Sequence, residues 1–214
     1  MGLIAKAKGG GNFELIPEDQ HLARCVMVAD IGTHDSTYGR KHQCVIGWEF
    51  PEVLQVYDPD KGEEPAMLSV FYTLSLSEKA NLRHMLESWR GRAFTAEELE
   101  GFDLFCLCGI GCLVQVVHAP KANGDVRAKV QTVSKLHKSM TVPDQIVKSR
   151  TFDLAESSVD DFEALPEWLR GKIKECDEWP IFAKRTMGAD SQVGEAAEYQ
   201  EDLSGGAAQP DVPF

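Results

Sequence analysis

Residues 66–91 read "AMLSVFYTLSLSEKANLRHMLESWRG", and the hydrophobic period changes within them. In the first half it is two. Val70, Tyr72, Leu74 and Leu76 alternate with Ser69, Phe71, Thr73 and Ser75, as in a strand with one buried face. In the second half it is that of a helix: Leu82, Met85, Leu86 and Trp89 fall on one stripe, Ser77 can cap the start and Gly91 can end it. A strand that hands over to a single amphipathic helix makes the topology depend on the segments flanking it.

Upstream, "HLARCVMVADIG" (21–32) has the apolar, β-branched character of a strand, and the polar run "THDSTYGRKH" (33–42) reads as a loop. "QCVIGWEF" (43–50) reads as a second strand, with Cys44, Ile46, Trp48 and Phe50 on one face and Pro51 ending it before the acidic turn "YDPDKGEEP" (57–65). Downstream, "FTAEELEG" (94–101) carries a capping box, Thr95 with Glu98, and a hydrophobic staple, Phe94 with Leu99, so a short second helix is expected. Two more strands, "CLVQVVHA" (112–119) and "VRAKVQTVSKL" (126–136), are joined by the turn "PKANGD". Three strands, a helical insert and two strands, with one crossover helix, indicate a mainly β protein built on a small barrel rather than a parallel sheet. This is the order of a five-stranded OB-fold barrel with a helical insert after strand 3. A C-terminal helix is expected within "SSVDDFEALPEWLRGKIKECDEWPIF" (157–182), with Leu165, Leu169 and Ile173 on one stripe and Pro166 in the first turn.

The chain of 214 residues and 23.7 kDa can bury one sizeable core with an appendage. The expected division is a flexible segment 1–20, a folded domain 21–185 and a disordered acidic tail 186–214. Charge supports that division. The net charge is −12, yet residues 1–150 carry 17 basic against 19 acidic residues, whereas 186–214 carry six acidic residues and no basic one. A body so nearly balanced can still present a nucleic-acid surface if its basic residues cluster. No stretch reaches the ~20 apolar residues of a membrane span, and "MGLIAKAKGGGNFELIPEDQ" lacks a signal-peptide core, so no membrane association and a cytoplasmic location are expected. Six cysteines in that compartment are expected to be reduced.

The chain closes on "PDVPF". This ending resembles the C-terminal tip of bacterial single-stranded DNA-binding proteins, in which an acidic linker leads to an Asp, a β-branched residue, a proline and a terminal phenylalanine. The resemblance implies that Asp211, Val212, Pro213 and Phe214 dock on replication, recombination or repair proteins, since an apolar pocket with a basic rim can capture a ring and a free carboxylate together. The body, through "YTLSLSEKANLRHMLESWRGRAFTAEELEGFDL" (72–104) and "ALPEWLRGKIKE" (164–175), resembles a group of bacteriophage single-stranded DNA-binding proteins across most of residues 20–180. That resemblance implies sequence-independent coating of single strands during phage DNA replication or recombination, in the cytoplasm of an infected bacterial host.

Single-strand binding needs a cationic groove for phosphates and exposed rings for bases. In an OB-fold these come from the face of strands 2 and 3 and the loops joining strands 1 to 2 and 4 to 5. Here those places hold Tyr38, Arg40 and Lys41, then Trp48, Phe71 and Tyr72, then Lys121, with Arg127 and Lys129 on strand 5. Trp48 shares a face with Ile46 and Phe50, so it reads as a core ring ahead of a stacking one; Phe71 lies opposite the apolar face and is expected to be exposed. Lys79, Arg83, Arg90 and Arg92 form a second basic cluster along and after the helix, read either as DNA-binding or as a solvated face. Trp89 completes the apolar stripe and belongs to the core.

Cys106, Cys108 and Cys112, with His118 beyond them, lack the paired spacing of a zinc site and read as small buried hydrophobes. No phosphate loop, metalloprotease His pair or nucleophile elbow is present, and no cofactor or enzymatic activity is expected. Two other classes compete. An acidic DNA mimic that inhibits a host enzyme would use the charge of −12, and a metal-dependent nuclease would use carboxylates such as Asp58, Asp60, Glu63 and Glu64. A homodimer is left open.

Overall fold

The computed structural model of the protein describes residues 14–188 apart from 37, 38, 59, 61 and 122. Five strands form one antiparallel sheet: β1 (Gln20–Ser36), β2 (Gly39–Asp58), β3 (Gly62–Thr73), β4 (Gly111–Pro120) and β5 (Val126–Ser134), ordered β3-β2-β1-β4-β5. A sixth, β6 (Arg150–Phe152), runs parallel to β1 at 27–29, on the edge that β4 leaves after pairing with 20–24. The sheet is open: among the described residues no ladder joins β3 to β5, although the two strands approach each other.

The helix period after β3 produces α1 (Asn81–Arg90), whose Leu82, Met85, Leu86 and Trp89 are buried. It ends at Gly91 in the left-handed conformation that glycine adopts without strain. Ser77 does not cap it; Ala80 occupies that position, and the Ser77 carbonyl instead closes a turn by accepting from the Ala80 N–H at 2.9 Å. The predicted capping box is present in α2 (Ala96–Glu100), where Thr95 and Glu98 bond reciprocally. A 3-10 helix, Leu104–Leu107, then leads into β4.

The two faces of the sheet bury different cores. On the inner face, Cys25, Cys44, Ile46, Trp48, Phe50, Val114, Val116 and Val133 pack with the stripe of α1, as the alternation of 43–50 predicts. The outer face carries a second core that this alternation does not mark. Met27, Ala29, Ile31 and Val45 pack there with Phe152 of β6, beneath three short helices, α3 (Val159–Glu163), α4 (Glu167–Lys174) and α5 (Trp179–Thr186). The single helix expected over 157–182 is thus divided. Pro166 takes the N-cap of α4, so the chain cannot run on from α3, and Leu165, Leu169 and Ile173 are buried as predicted.

The hairpins are longer than expected. The polar run 33–42 continues the ladder, with His34 opposite Lys41 and Asp35 opposite Arg40. Backbone pairing needs no apolar face once a partner strand is in place. Pro51 does not end β2, because it sits where the β2–β3 register shifts between Phe50 and Leu54, a bulge that spares its missing N–H. The lead-in is docked from Glu14 onward: Ile16 is buried and its carbonyl bonds His118 Nε2 at 2.8 Å.

Segment 135–149 straps the outer face through polar contacts to two paired positions of β1 and β2, Arg24 and Glu49. Arg24 donates to the carbonyls of Gly109 and Pro143, each at 2.7 Å, and the fully buried Glu49 accepts from the Ile146 N–H at 3.2 Å and the Val147 N–H at 2.7 Å.

Candidate nucleic-acid interface

Along the free edge of β3 runs a cleft of about 430 Å³ lined by Lys41 from β2, Phe71, Tyr72 and Thr73 from β3, and Lys79 and Asn81 from the entry to α1. A second cleft of about 330 Å³ shares Val70, Tyr72 and Asn81 with it and continues between β3, α1 and β5, reaching His84, Ser88, Gln131 and Thr132. Together they form a groove where the sheet stays open.

Its chemistry is mixed in a useful way. Phe71 is 46% exposed, as expected from its position opposite the apolar face of β3. Tyr72 leans the other way, half-buried against the inner core, and burial together with the neighbouring Cys44 pushes its phenol well up, keeping it neutral. Lys41 and Lys79 are exposed and make no ion pair with any described residue. Two ammonium groups without an ion pair to a described residue, beside an exposed ring, can hold phosphate and base together.

Other expected site residues are placed differently. Trp48 is 0% exposed, its ring 6.1 Å from that of Trp89, so no face remains for a base: the core reading holds for it and the stacking reading is corrected. Arg90 is also buried. Its guanidinium lies 4.4 Å from the Phe94 ring centroid and 5.2 Å from that of Phe102, and it pairs with Glu98. Glu98 also accepts from Arg92 at 2.7 Å; the bonds from Arg92 and Arg90 hold its carboxyl at about 2. Arg83 donates to Glu87 at 2.9 Å. Of the second basic cluster, therefore, Arg83, Arg90 and Arg92 are each held by a carboxylate of α1 or α2, and Lys79 alone opens onto the cleft.

Arg40 is exposed but engaged, pairing with Asp35 at 3.6 Å and with Asp177 before α5. Lys121, Arg127 and Lys129 are exposed on the β4–β5 hairpin, without an ion pair to a described residue, and outside both clefts. Arg127 and Lys129 are exposed along β5 up to the register shift opposite Gln115 and Val116, beyond which exposed Gln131 and Thr132 line the groove. Residues 121–150 hold seven basic residues against two acidic ones in an acidic chain, a signal that window-by-window charge would have found. Tyr38 and the tip Asp211, Val212, Pro213 and Phe214 lie outside the described residues.

The cysteines are free. Cys25, Cys44, Cys112 and Cys176 are buried, while Cys106 and Cys108 are half-buried. Among the described residues no group of three or more His, Cys, Asp or Glu could hold a metal ion, and no helix is long and apolar enough to cross a membrane.

No model of a known protein family matches the chain, and no curated protein matches it.

Proposed function

We propose that the protein binds single-stranded DNA without sequence preference, in the groove beside the free edge of β3. The observation that carries this is the meeting of Lys41 and Lys79, neither of which forms an ion pair with any described residue, with exposed Phe71 in one cleft. The strand order supports an OB-type barrel opened between β3 and β5, with the helical insert after β3 where that fold accommodates one. The C-terminal tip, Asp211–Val212–Pro213–Phe214, would recruit replication or recombination proteins to the coated strand during phage DNA metabolism.

The test is fluorescence anisotropy of a labelled oligo-dT strand, titrated with the full chain and with Lys41→Glu/Lys79→Glu, against duplex competitor and over a salt series. Binding should prefer the single strand and weaken with salt. The double variant should bind at least about tenfold more weakly, and its salt slope should fall by roughly 1.4 if both lysines contact phosphates. Failure of the natural chain to bind would overturn the proposal and favour the acidic inhibitor.

A further inference from the structure

The C-terminal helices cover β1 and β2 on the outer face of the sheet, yet they leave the margin of β3 open and place one large ring against it. Trp168, on α4, is 47% exposed and stands edge-to-face with Phe71, ring centroids 6.0 Å apart and planes at 89°. Packing does not require a tryptophan there. The buried stripe of α4 is supplied by Leu169 and Ile173, with Leu165 just before the helix, and the half-exposed Trp168 lies off it.

We infer that Trp168 and Phe71 form one two-ring platform that takes a nucleobase of the bound strand, so that the helical layer supplies part of the binding surface. The inference rests on the DNA-binding reading above and extends it to a residue on a different element. Three observations carry it. The two rings hold each other in orientation, so little rotamer freedom is lost on stacking a third ring. Both remain about half-exposed, whereas Trp48, Trp89, Phe50, Phe152 and Phe182 are sealed in the cores. Finally, Phe71 shares its cleft with Lys41 and Lys79, which suits a ligand carrying phosphate beside an aromatic base rather than an apolar peptide.

Tryptophan emission offers a direct readout, because Trp48 and Trp89 are buried and Trp179 is packed against the outer core. The full chain, Trp168→Phe and Trp168→Ala are titrated with oligo-dT and with an abasic strand of the same length. Binding is followed by anisotropy of a labelled strand and stacking by intrinsic emission. Oligo-dT should quench the natural chain more strongly than the abasic strand does, and Trp168→Phe should lose most of that quenching while keeping most of the affinity. Trp168→Ala should weaken oligo-dT binding roughly tenfold, the loss expected for one stacked base, and leave abasic affinity unchanged. Quenching that survives in Trp168→Phe, or equal losses on the two strands, would overturn the platform alone. Absence of binding by the natural chain would overturn the platform and the DNA-binding reading together.

Discussion

Glu178 receives two hydrogen bonds from one residue: Thr33 donates its backbone N–H at 2.7 Å and its hydroxyl at 2.6 Å. This contact ties the start of α5 to the far end of β1. His42 lies 3.6 Å from the same carboxylate, and the neighbouring Asp177 pairs with Arg40. The helical layer that covers the outer face, and carries Trp168, is thus latched to the sheet by polar contacts as well as by its core.

Burial raises the Glu178 pKa, but the bonds from Thr33 outweigh it and hold the carboxyl at about 2, below its ordinary 4.5. With the folded value depressed, the stabilisation is complete above about 4.5 and is lost as pH falls toward about 2. Glu178→Gln should cost about 1 kcal/mol near neutral pH, allowing for its partial exposure, and the difference from the natural chain should vanish in acid. Urea unfolding across an acid series measures this; parallel curves at every pH would contradict it.

Gly32 lies beneath the same latch with φ of 77°, and a Cβ there would meet Cys176 Sγ at 2.5 Å and Glu178 Oε2 at 2.7 Å. Gly32→Ala combines a strained backbone with a clash that must push the start of α5 outward. We expect a loss of more than about 2 kcal/mol, with proteolysis appearing first in the C-terminal helices. An unchanged melting temperature would show that the layer shifts freely.

The two buried tryptophans should respond differently. Trp89 Nε1 donates to the Gly111 carbonyl at 3.1 Å, whereas Trp48 Nε1 is buried with no hydrogen-bond partner among the described residues. Trp48→Phe removes an unsatisfied donor with part of the ring and should cost less than Trp89→Phe, by about 1 kcal/mol. Trp48→Ala should cost about 3–5 kcal/mol. Since Trp48 cannot reach DNA, Trp48→Phe should leave oligo-dT affinity unchanged, which anisotropy would check.

Among the cysteines, Cys108 should be the reactive one. A hydrogen bond from Cys25 lowers its pKa, while burial pushes Cys44 up to about 12 and Cys106 and Cys176 to about 11. Mild alkylation of the folded protein should therefore label Cys108 first, and Cys108→Ser should remove the fast phase. Mass spectrometry finding Cys106 labelled first would refute this.

Local chemistry makes much of the fold legible in advance. The alternation in 43–50, the stripe Leu82, Met85, Leu86 and Trp89, and the Thr95–Glu98 box concern residues a few positions apart, and each is found as expected. The same holds for exposed Phe71, which the pleat alone places on the solvent side. The polar hairpin beyond Gly32 and the passage of β2 through Pro51 are not legible, because ladder pairing depends on a partner strand.

The candidate site divides in the same way. Sequence identifies cations and rings of suitable type, including Lys41, Lys79 and Phe71. Only tertiary structure decides that Arg83, Arg90 and Arg92 are each held by a carboxylate, that Trp48 is sealed against Trp89, and that Trp168 stands against Phe71 from nearly 100 residues away. Residue type and period are properties of a short stretch of chain, and the sequence determines them by itself. Whether a charge is paired, or a ring covered, depends on which distant element folds over it, and that is decided by the packing of the whole molecule.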